Sequence, residues 1–283
     1  MKPCVVMRAC NDMPIIKDTL YALSRQKQEF SLIVFDNDST DGTREIAERY
    51  ADLVVNVPRG EYVPGKILNQ GMLISHADIV VFLNSDCTPT SKDWLSELIS
   101  GFHSPNIAAV FGAQLPRKEC HPLHAKDIHD TFGEGHSQDK WLHCFSMAAS
   151  AIKRDAWNEL LFSESLKYSE DIDWTWSIKQ RGYKINYLPK AKVIHSHNYT
   201  IKQCYKRHFG EGEAEANIFT WSKWQRSFTR YAIMPYIKRI VNDWNYAIRE
   251  FNFYLFVSSP VIRAAQILGR WQGFRQGLKK LYI

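Results

Sequence analysis

The sequence predicts an α/β fold: a mostly parallel sheet flanked by helices, followed by a helical C-terminal extension. Three observations predict it. Strand-like runs alternate with helical patterns of roughly ten to fifteen residues through the first hundred positions, the pattern of right-handed βαβ units. Ile79 to Leu83 is an apolar strand that runs straight into a polar turn ending in Asp86. From about residue 200 the chain changes to long helical stretches rich in Trp, Tyr, Phe and basic residues.

The elements follow in order. "CVVMRA" is a strand, "MPIIKDTLYALSRQ" a helix, "FSLIVFDN" a strand, and "STDGTREIAERYA" a helix with Ser39 or Thr40 as its cap. "LVVNV", "GKILNQGMLIS" and "DIVVFLNSD" continue the alternation, then "TSKDWLSELISGF" and "IAAVFGA". The stretch from Gln114 to Lys140 reads as an irregular binding loop. "CFSMAASAIKRDAWNEL" is a strand turning into a helix. "SEDIDWTWSIKQRG" is a helix that Ser169 can cap and Gly182 can end. "KINYLP" and "AKVIHSH" are the last strand-like pieces.

At 283 residues the chain has room for one large domain with a substantial appendage, and the division expected is residues 1–215 and 216–283. Six scattered cysteines, with no zinc-like spacing, suit reduced thiols in the cytoplasm. The N-terminus enters a strand at once without the apolar core of a signal peptide, and no run of about 18 apolar residues offers a spanning helix. Residues 1–200 hold 22 Lys and Arg against 25 Asp and Glu; residues 201–283 hold 14 against 5. The net +9 of the second part, with its aromatic content, suits an anionic membrane surface. It does not suit nucleic acid, because it follows a net acidic α/β domain and carries no nucleic-acid motif.

In open α/β sheets ligands sit beyond the carboxyl ends of the strands, where Asp86 is delivered. Strand ends also carry Asn, Ser and Asp to make turns, so the other motifs decide. The loop "FDNDSTDGT" packs Asp36, Asp38 and Asp41 around hydroxyls and a glycine. It can cap a helix, and its Asp36 carboxylate can accept a hydrogen bond from a nucleobase N–H or a ribose hydroxyl.

With "RACND", "LYALSRQ" and "LIVFDNDSTDGT" in this order and spacing, the chain resembles the family 2 inverting glycosyltransferases of the GT-A fold, a Rossmann-like mixed sheet. The resemblance covers about residues 1 to 215 and is especially marked toward bacterial rhamnosyltransferases. It implies a nucleoside-diphosphate-sugar donor and a saccharide or lipid-linked acceptor in cell-surface polysaccharide synthesis. Deoxythymidine diphosphate rhamnose is the first choice of donor, with uridine diphosphate hexoses and guanosine diphosphate mannose as alternatives.

The resemblance also implies site residues. In "GKILNQGM", Lys66 would meet the diphosphate and Asn69 would fix the turn. "FLNSDC" stands where the family has its DxD motif: Asp86 would hold a divalent cation, Mg²⁺ or Mn²⁺, with Asn84 in place of the first aspartate. Asp36, Asp38, Ser85 and Trp174 complete the implied donor contacts. "SEDIDW" resembles the family's ED motif, making Asp171 the base that takes the acceptor's proton, with Glu170 second. The helix N-terminus predicts that Asp171 keeps an ordinary carboxylate pKa. A histidine after this motif is the implied further metal ligand: His195 by alignment to the strand end, with His197 on the same strand face as the alternative. The expectation is a cytoplasmic enzyme, peripheral on the inner face of the membrane. The reading from another class is a catalytically silent scaffold, for which only Asn84 speaks.

Overall fold

The computed structural model describes residues 2–133, 145–219 and 226–280. They form two compact units, one of residues 1–119, 127–166 and 170–196, the other of residues 120–126, 167–169 and 197–283.

The first unit is built on one sheet of eight strands: β1 (Cys4–Ala9), β2 (Ser31–Asp36), β3 (Leu53–Asn56), β4 (Ile79–Asn84), β5 (Thr88–Pro89), β6 (Ile107–Leu115), β7 (Ala149–Lys153) and β8 (Lys184–Ile194). Their spatial order is β3-β2-β1-β4-β7-β6-β8-β5. β1 pairs in parallel with β2 and β4, β2 with β3, and β6 with β8; β7 runs antiparallel to both β4 and β6, and β5 to β8. All strands but β7 and β5 therefore point the same way, and the sheet is mixed and mostly parallel, as predicted. The two strand-like pieces at 184–197 are one strand, carried through Pro189 and paired with β6 across a register shift.

Helices cover both faces: α1 (Ile15–Ser24), α2 (Thr43–Ala47), α3 (Pro64–Ser75), α4 (Trp94–Ile99), α6 (Arg154–Glu159) and α7 (Glu170–Gln180); α5 (Pro122–Phe132) has its first residues in the second unit and the rest in the first. The central strand β1 is apolar on both sides because both sides are covered. Val6 joins Phe35, Ile67, Phe82, Phe162 and Trp174 in one core, while Val5 and Met7 join Leu20, Val34, Val81 and Trp94 in the other. The start of α3 is seated tightly: a Cβ on Gly65 would collide with the carbonyl of Ser163.

Two local expectations are corrected. α2 begins at Thr43 after Gly42 in a left-handed conformation, not at a Ser39 or Thr40 cap; the Asp41 carboxylate accepts the Thr43 N–H at 3.0 Å instead. The stretch 114–140, expected to be irregular, contains α5; its residues 134–140 lie outside the described residues.

The second unit consists mainly of α8 (Ile201–Ile218), α9 (Met234–Arg249) and α10 (Leu255–Lys280). Thr200 caps α8 through a capping box with Gln203. α10 lies so close to α8 that a Cβ on Gly273 would strike the backbone of Phe209. Asp243 of α9 and Arg263 of α10 form a buried ion pair at 2.7 Å, with Ser259 donating to the same carboxylate.

Candidate active site

β2 ends on Asp36, which is fully buried. Its Oδ2 accepts the Ser39 N–H at 3.1 Å, while Oδ1 has no hydrogen-bond partner among the described residues. A buried carboxylate oxygen without a donor is costly, and a ligand N–H or hydroxyl at this strand end would satisfy it. Asp38, in left-handed backbone, accepts the Arg59 N–H at 3.0 Å.

Asn69 and Trp174 lie in the core rather than at a surface. The Asn69 amide donates to the Phe162 carbonyl and Glu164, and accepts from the Trp157 indole and the Phe162 N–H, all at 2.9–3.0 Å. The Trp174 indole donates to the Leu160 carbonyl at 2.7 Å and its ring packs on Phe162. Their polar groups are committed to holding α3, α6 and α7 together. Lys66, in the first turn of α3, is half-buried.

The parallel register of β1 and β4 sets Arg8 beside Asn84. Asn84 Oδ1 accepts a fork from the guanidinium, Nη2 at 2.8 Å and Nε at 3.2 Å. The third nitrogen, Nη1, lies 3.4 Å from Glu170 Oε1. One side chain thus joins the end of β4 to the start of α7. Burial works against the Arg8 charge, but Tyr62, Glu170 and Asp171 outweigh it and hold the guanidinium protonated.

Ser85 is buried, and its hydroxyl donates to Asp12 Oδ2, which also accepts the Cys10 N–H at 2.8 Å. Burial raises the Asp12 pKa despite these donors, and the nearby Asp86 charge adds to the rise. The Asp86 carboxylate faces His195, Oδ2 to Nε2 at 3.5 Å. On the other side of that ring, Nδ1 donates to Gln114 Oε1 at 2.8 Å, because an amide oxygen only accepts. In the neutral imidazole this bond leaves the Nε2 lone pair toward Asp86, the arrangement of a metal-binding histidine fixed by an outer hydrogen bond. A carboxylate oxygen and an imidazole nitrogen fit a divalent cation that takes its other ligands from a diphosphate and water.

Cys87 stands close enough to share the cluster, but its side chain belongs to the core and burial, with Asp86 beside it, pushes its thiol well above the ordinary range. His197 is not brought to this cluster; it belongs to the second unit, where its ring stacks on Tyr199 at 5.2 Å. Arg117 braces the same turn, donating to the Asp86 carbonyl and, at 3.0 Å, to the Ser196 carbonyl.

α7 opens on Glu170 and Asp171. Ser169 has a positive φ of 60°, outside the extended conformation of a helix cap. Asp171 is half-buried; its Oδ1 accepts the Ile172 N–H at 2.9 Å and its Oδ2 the Met147 N–H at 3.3 Å. Its pKa is nonetheless pushed up to about 7, first by burial and then by the neighbouring Glu170 charge, which together outweigh the two N–H donors and Arg8. The ordinary value expected from the helix N-terminus is overturned. A carboxylate that titrates near neutrality and keeps partial exposure is suited to general-base chemistry.

Sequence reasoning missed Arg8, Asp12, Gln114 and Arg117. The signal for Arg8 was present: it is a cation inside the otherwise apolar, doubly covered strand Cys4–Ala9, where a charge needs partners. Gln114 and Arg117 fell in a stretch read only as a loop.

The family model described as "Glycosyl transferase family 2" matches residues 4–161, more than half of the chain. The O-antigen chain rhamnosyltransferase WbaN of Salmonella anatum is 34% identical over 204 residues, 68% of this chain and 65% of that protein. RfbN of Salmonella typhimurium, also an O-antigen chain rhamnosyltransferase, is 29% identical over 225 residues, 75% of this chain and 72% of that protein. The chain thus spans less than two thirds of WbaN. Among solved structures, the mannosyltransferase PcManGT from Pyrobaculum calidifontis, in complex with GDP-Man and Mn²⁺, superposes with a TM-score of 0.66 at 15% identity, covering 99% of this chain and 87% of that one. Staphylococcus aureus TarS (residues 1–349), in complex with UDP-GlcNAc, gives 0.57 at 18% identity over 98% and 92% of the two chains. At these identities the structural likeness speaks for the fold.

Proposed function

The chain belongs to glycosyl transferase family 2, and from that premise we propose that it moves a sugar, rhamnose first among the candidates, from a nucleoside diphosphate to a saccharide or lipid-linked saccharide with inversion at the anomeric carbon. The rhamnosyltransferase relatives support the sugar. The observation that carries the reading is the Arg8 bridge. It joins Asn84, two residues before Asp86, to Glu170, next to Asp171, and so ties the strand end read as donor-binding to the carboxylate read as the base.

In this reading the unpartnered Oδ1 of Asp36 accepts a hydrogen bond from the nucleobase or ribose, with Asp38 at the same loop, and Lys66 meets the diphosphate. Asp86 and His195 would hold Mg²⁺ or Mn²⁺, which when bound neutralises charge developing on the leaving diphosphate. Asp171 accepts the proton of the acceptor hydroxyl as its oxygen attacks the anomeric carbon. The bond from that carbon to the diphosphate oxygen breaks, and the nucleoside diphosphate leaves with the electron pair. Glu170, held by Arg8, keeps Asp171 basic enough to take the proton near neutral pH.

The unit built on the eight-stranded sheet would carry the chemistry, and α9 and α10 of the second unit, within residues 216–283, a peripheral attachment to the inner face of the cytoplasmic membrane, where a lipid-linked acceptor for cell-surface polysaccharide would be met. The test is transfer from a panel of nucleotide-sugars with Mg²⁺ or Mn²⁺, comparing the wild type with Asp171→Asn and Asp86→Ala. A silent scaffold would bind donor and transfer nothing in any of the three.

A further inference from the structure

We propose that the α9–α10 hairpin is a lipid-docking edge, whose apolar stripe and aromatic tip enter the interfacial layer of an anionic membrane. This rests on the peripheral-attachment reading and gives it a surface. α9 buries Ile240, Asp243 and Ala247. A second set, Ile233, Ile237, Val241, Trp244 and Ile248, recurs every three or four residues and is exposed throughout. At the helical rotation of one turn per 3.6 residues these five fall within roughly 80° of one another. Lys238, Asn242, Asn245 and Arg249 form the exposed polar flank beside them. A surface helix ordinarily turns its apolar face inward; on α9 the apolar residues run on past the buried edge, and this further part of the face is turned to solvent.

The stripe continues into the tip of the hairpin. Trp244 packs on Phe256 at 5.6 Å, and Phe256 stacks on Phe253. Phe253, Tyr254, Val257 and Val261 are exposed in succession, and Phe251 is 82% exposed. Phe251 holds a positive φ of 52° while the following N–H, of Asn252, donates to the Ala247 carbonyl. This is the helix-ending position where glycine is the unstrained choice. An aromatic kept there, at a cost and facing water, has a use outside the fold.

Charge selects the occupant. Residues 226–250 contain Arg226, Arg230, Lys238, Arg239 and Arg249 against Asp243 and Glu250, and Asp243 is buried against Arg263. A second copy docking through this face would set positive charge against positive charge. Anionic headgroups complement it, and Trp, Tyr and Phe suit the boundary between headgroups and acyl chains. No helix among the described residues is long and apolar enough to cross a membrane; a stripe on one side of a helix calls for a helix lying along the surface.

The test is co-sedimentation of the full chain with vesicles of phosphatidylglycerol and phosphatidylcholine, against vesicles of phosphatidylcholine alone. The wild type is expected to bind the anionic vesicles, and Ile237→Asp with Ile248→Asp to bind about tenfold more weakly or worse. Phe251→Gly relieves the backbone, so weaker vesicle binding with an unchanged or higher Tm supports docking and is not explained by unfolding. Absent wild-type binding, or equal binding by all variants, overturns the proposal. So does a wild-type dimer in light scattering that the double variant dissolves without any vesicle binding. Nucleotide-sugar thermal shifts on the same proteins separate this inference from the transferase reading: vesicle binding without donor binding supports the first and contradicts the second.

Discussion

Arg8 and Asn84 are hydrogen-bonded neighbours across β1 and β4, the guanidinium placing two nitrogens at 2.8 and 3.2 Å from one amide oxygen. Residue 84 is neutral, and the carboxylate that Arg8 reaches is Glu170, at 3.4 Å from Nη1. An aspartate at 84 would compete for that charge. The asparagine thus belongs to an arrangement that extends from the strand end to α7.

Arg8→Ala is expected to lower kcat by about 10²-fold, the cost of displacing reacting groups by about 1 Å, since the end of β4 and the start of α7 lose the side chain that joins them. Arg8→Lys is expected to recover only part of it, since an ammonium cannot fork onto Asn84 while reaching Glu170. Steady-state kinetics on both variants check this, with circular dichroism to confirm folding.

Asp171 makes the reaction pH-dependent. With its pKa near 7, it carries a proton below that pH and cannot accept another, so kcat/KM is expected to fall as pH drops through about 7. Stability runs the other way. The folded-state pKa is raised above the unfolded value of about 3.9, so the native state binds the proton more tightly and this group's contribution is lost as pH rises from about 4 to about 7. Asp171→Asn, which cannot ionise, is expected to have a higher Tm than the wild type at pH 8. The difference should shrink as the pH approaches 4.

Gln114 fixes the Nδ1 proton of His195. Gln114→Ala is expected to raise the Mn²⁺ concentration needed for half-maximal activity by about 10–100-fold, the usual effect of removing an outer-shell partner. Asn84→Asp is expected to lower it by adding a carboxylate near Asp86. His197→Ala should leave it unchanged. Metal titrations of activity decide among these.

Asn69 is expected to matter for stability alone. Asn69→Ala leaves the Trp157 indole and the Phe162 N–H without their acceptor, at about 2–5 kcal/mol in all. Urea unfolding measures the loss, and donor affinity of the folded variant should stay close to that of the wild type.

The sheet was legible in the sequence because its strands are covered on both faces and read as apolar runs ending in turn residues. The positions of Asp36, Asp86 and Asp171 followed from motif order. Less legible was anything set by long-range packing. The pairing of Arg8 with residues 76 and 162 positions away depends on the β1–β4 register and on where α7 starts. The Asp171 pKa depends on burial, which no local pattern reports. Asn69 and Trp174 look polar enough to bind a ligand, and only the surrounding core shows that their hydrogen bonds are taken. Ser39 and Thr40 are good capping residues that lost to Gly42 and Asp41, since the loop is shaped by bonds to Asn11 and Met13.

The most direct test of the central claim is the rate of sugar transfer from nucleotide-sugar to saccharide acceptor, with Mn²⁺ present, by the wild type and Asp171→Asn, with product configuration read by NMR. The wild type is predicted to transfer with inversion, and the variant to bind donor normally yet transfer about 10²–10⁴ times more slowly. Equal rates for the two proteins, or a product that retains the donor's configuration, would contradict the account.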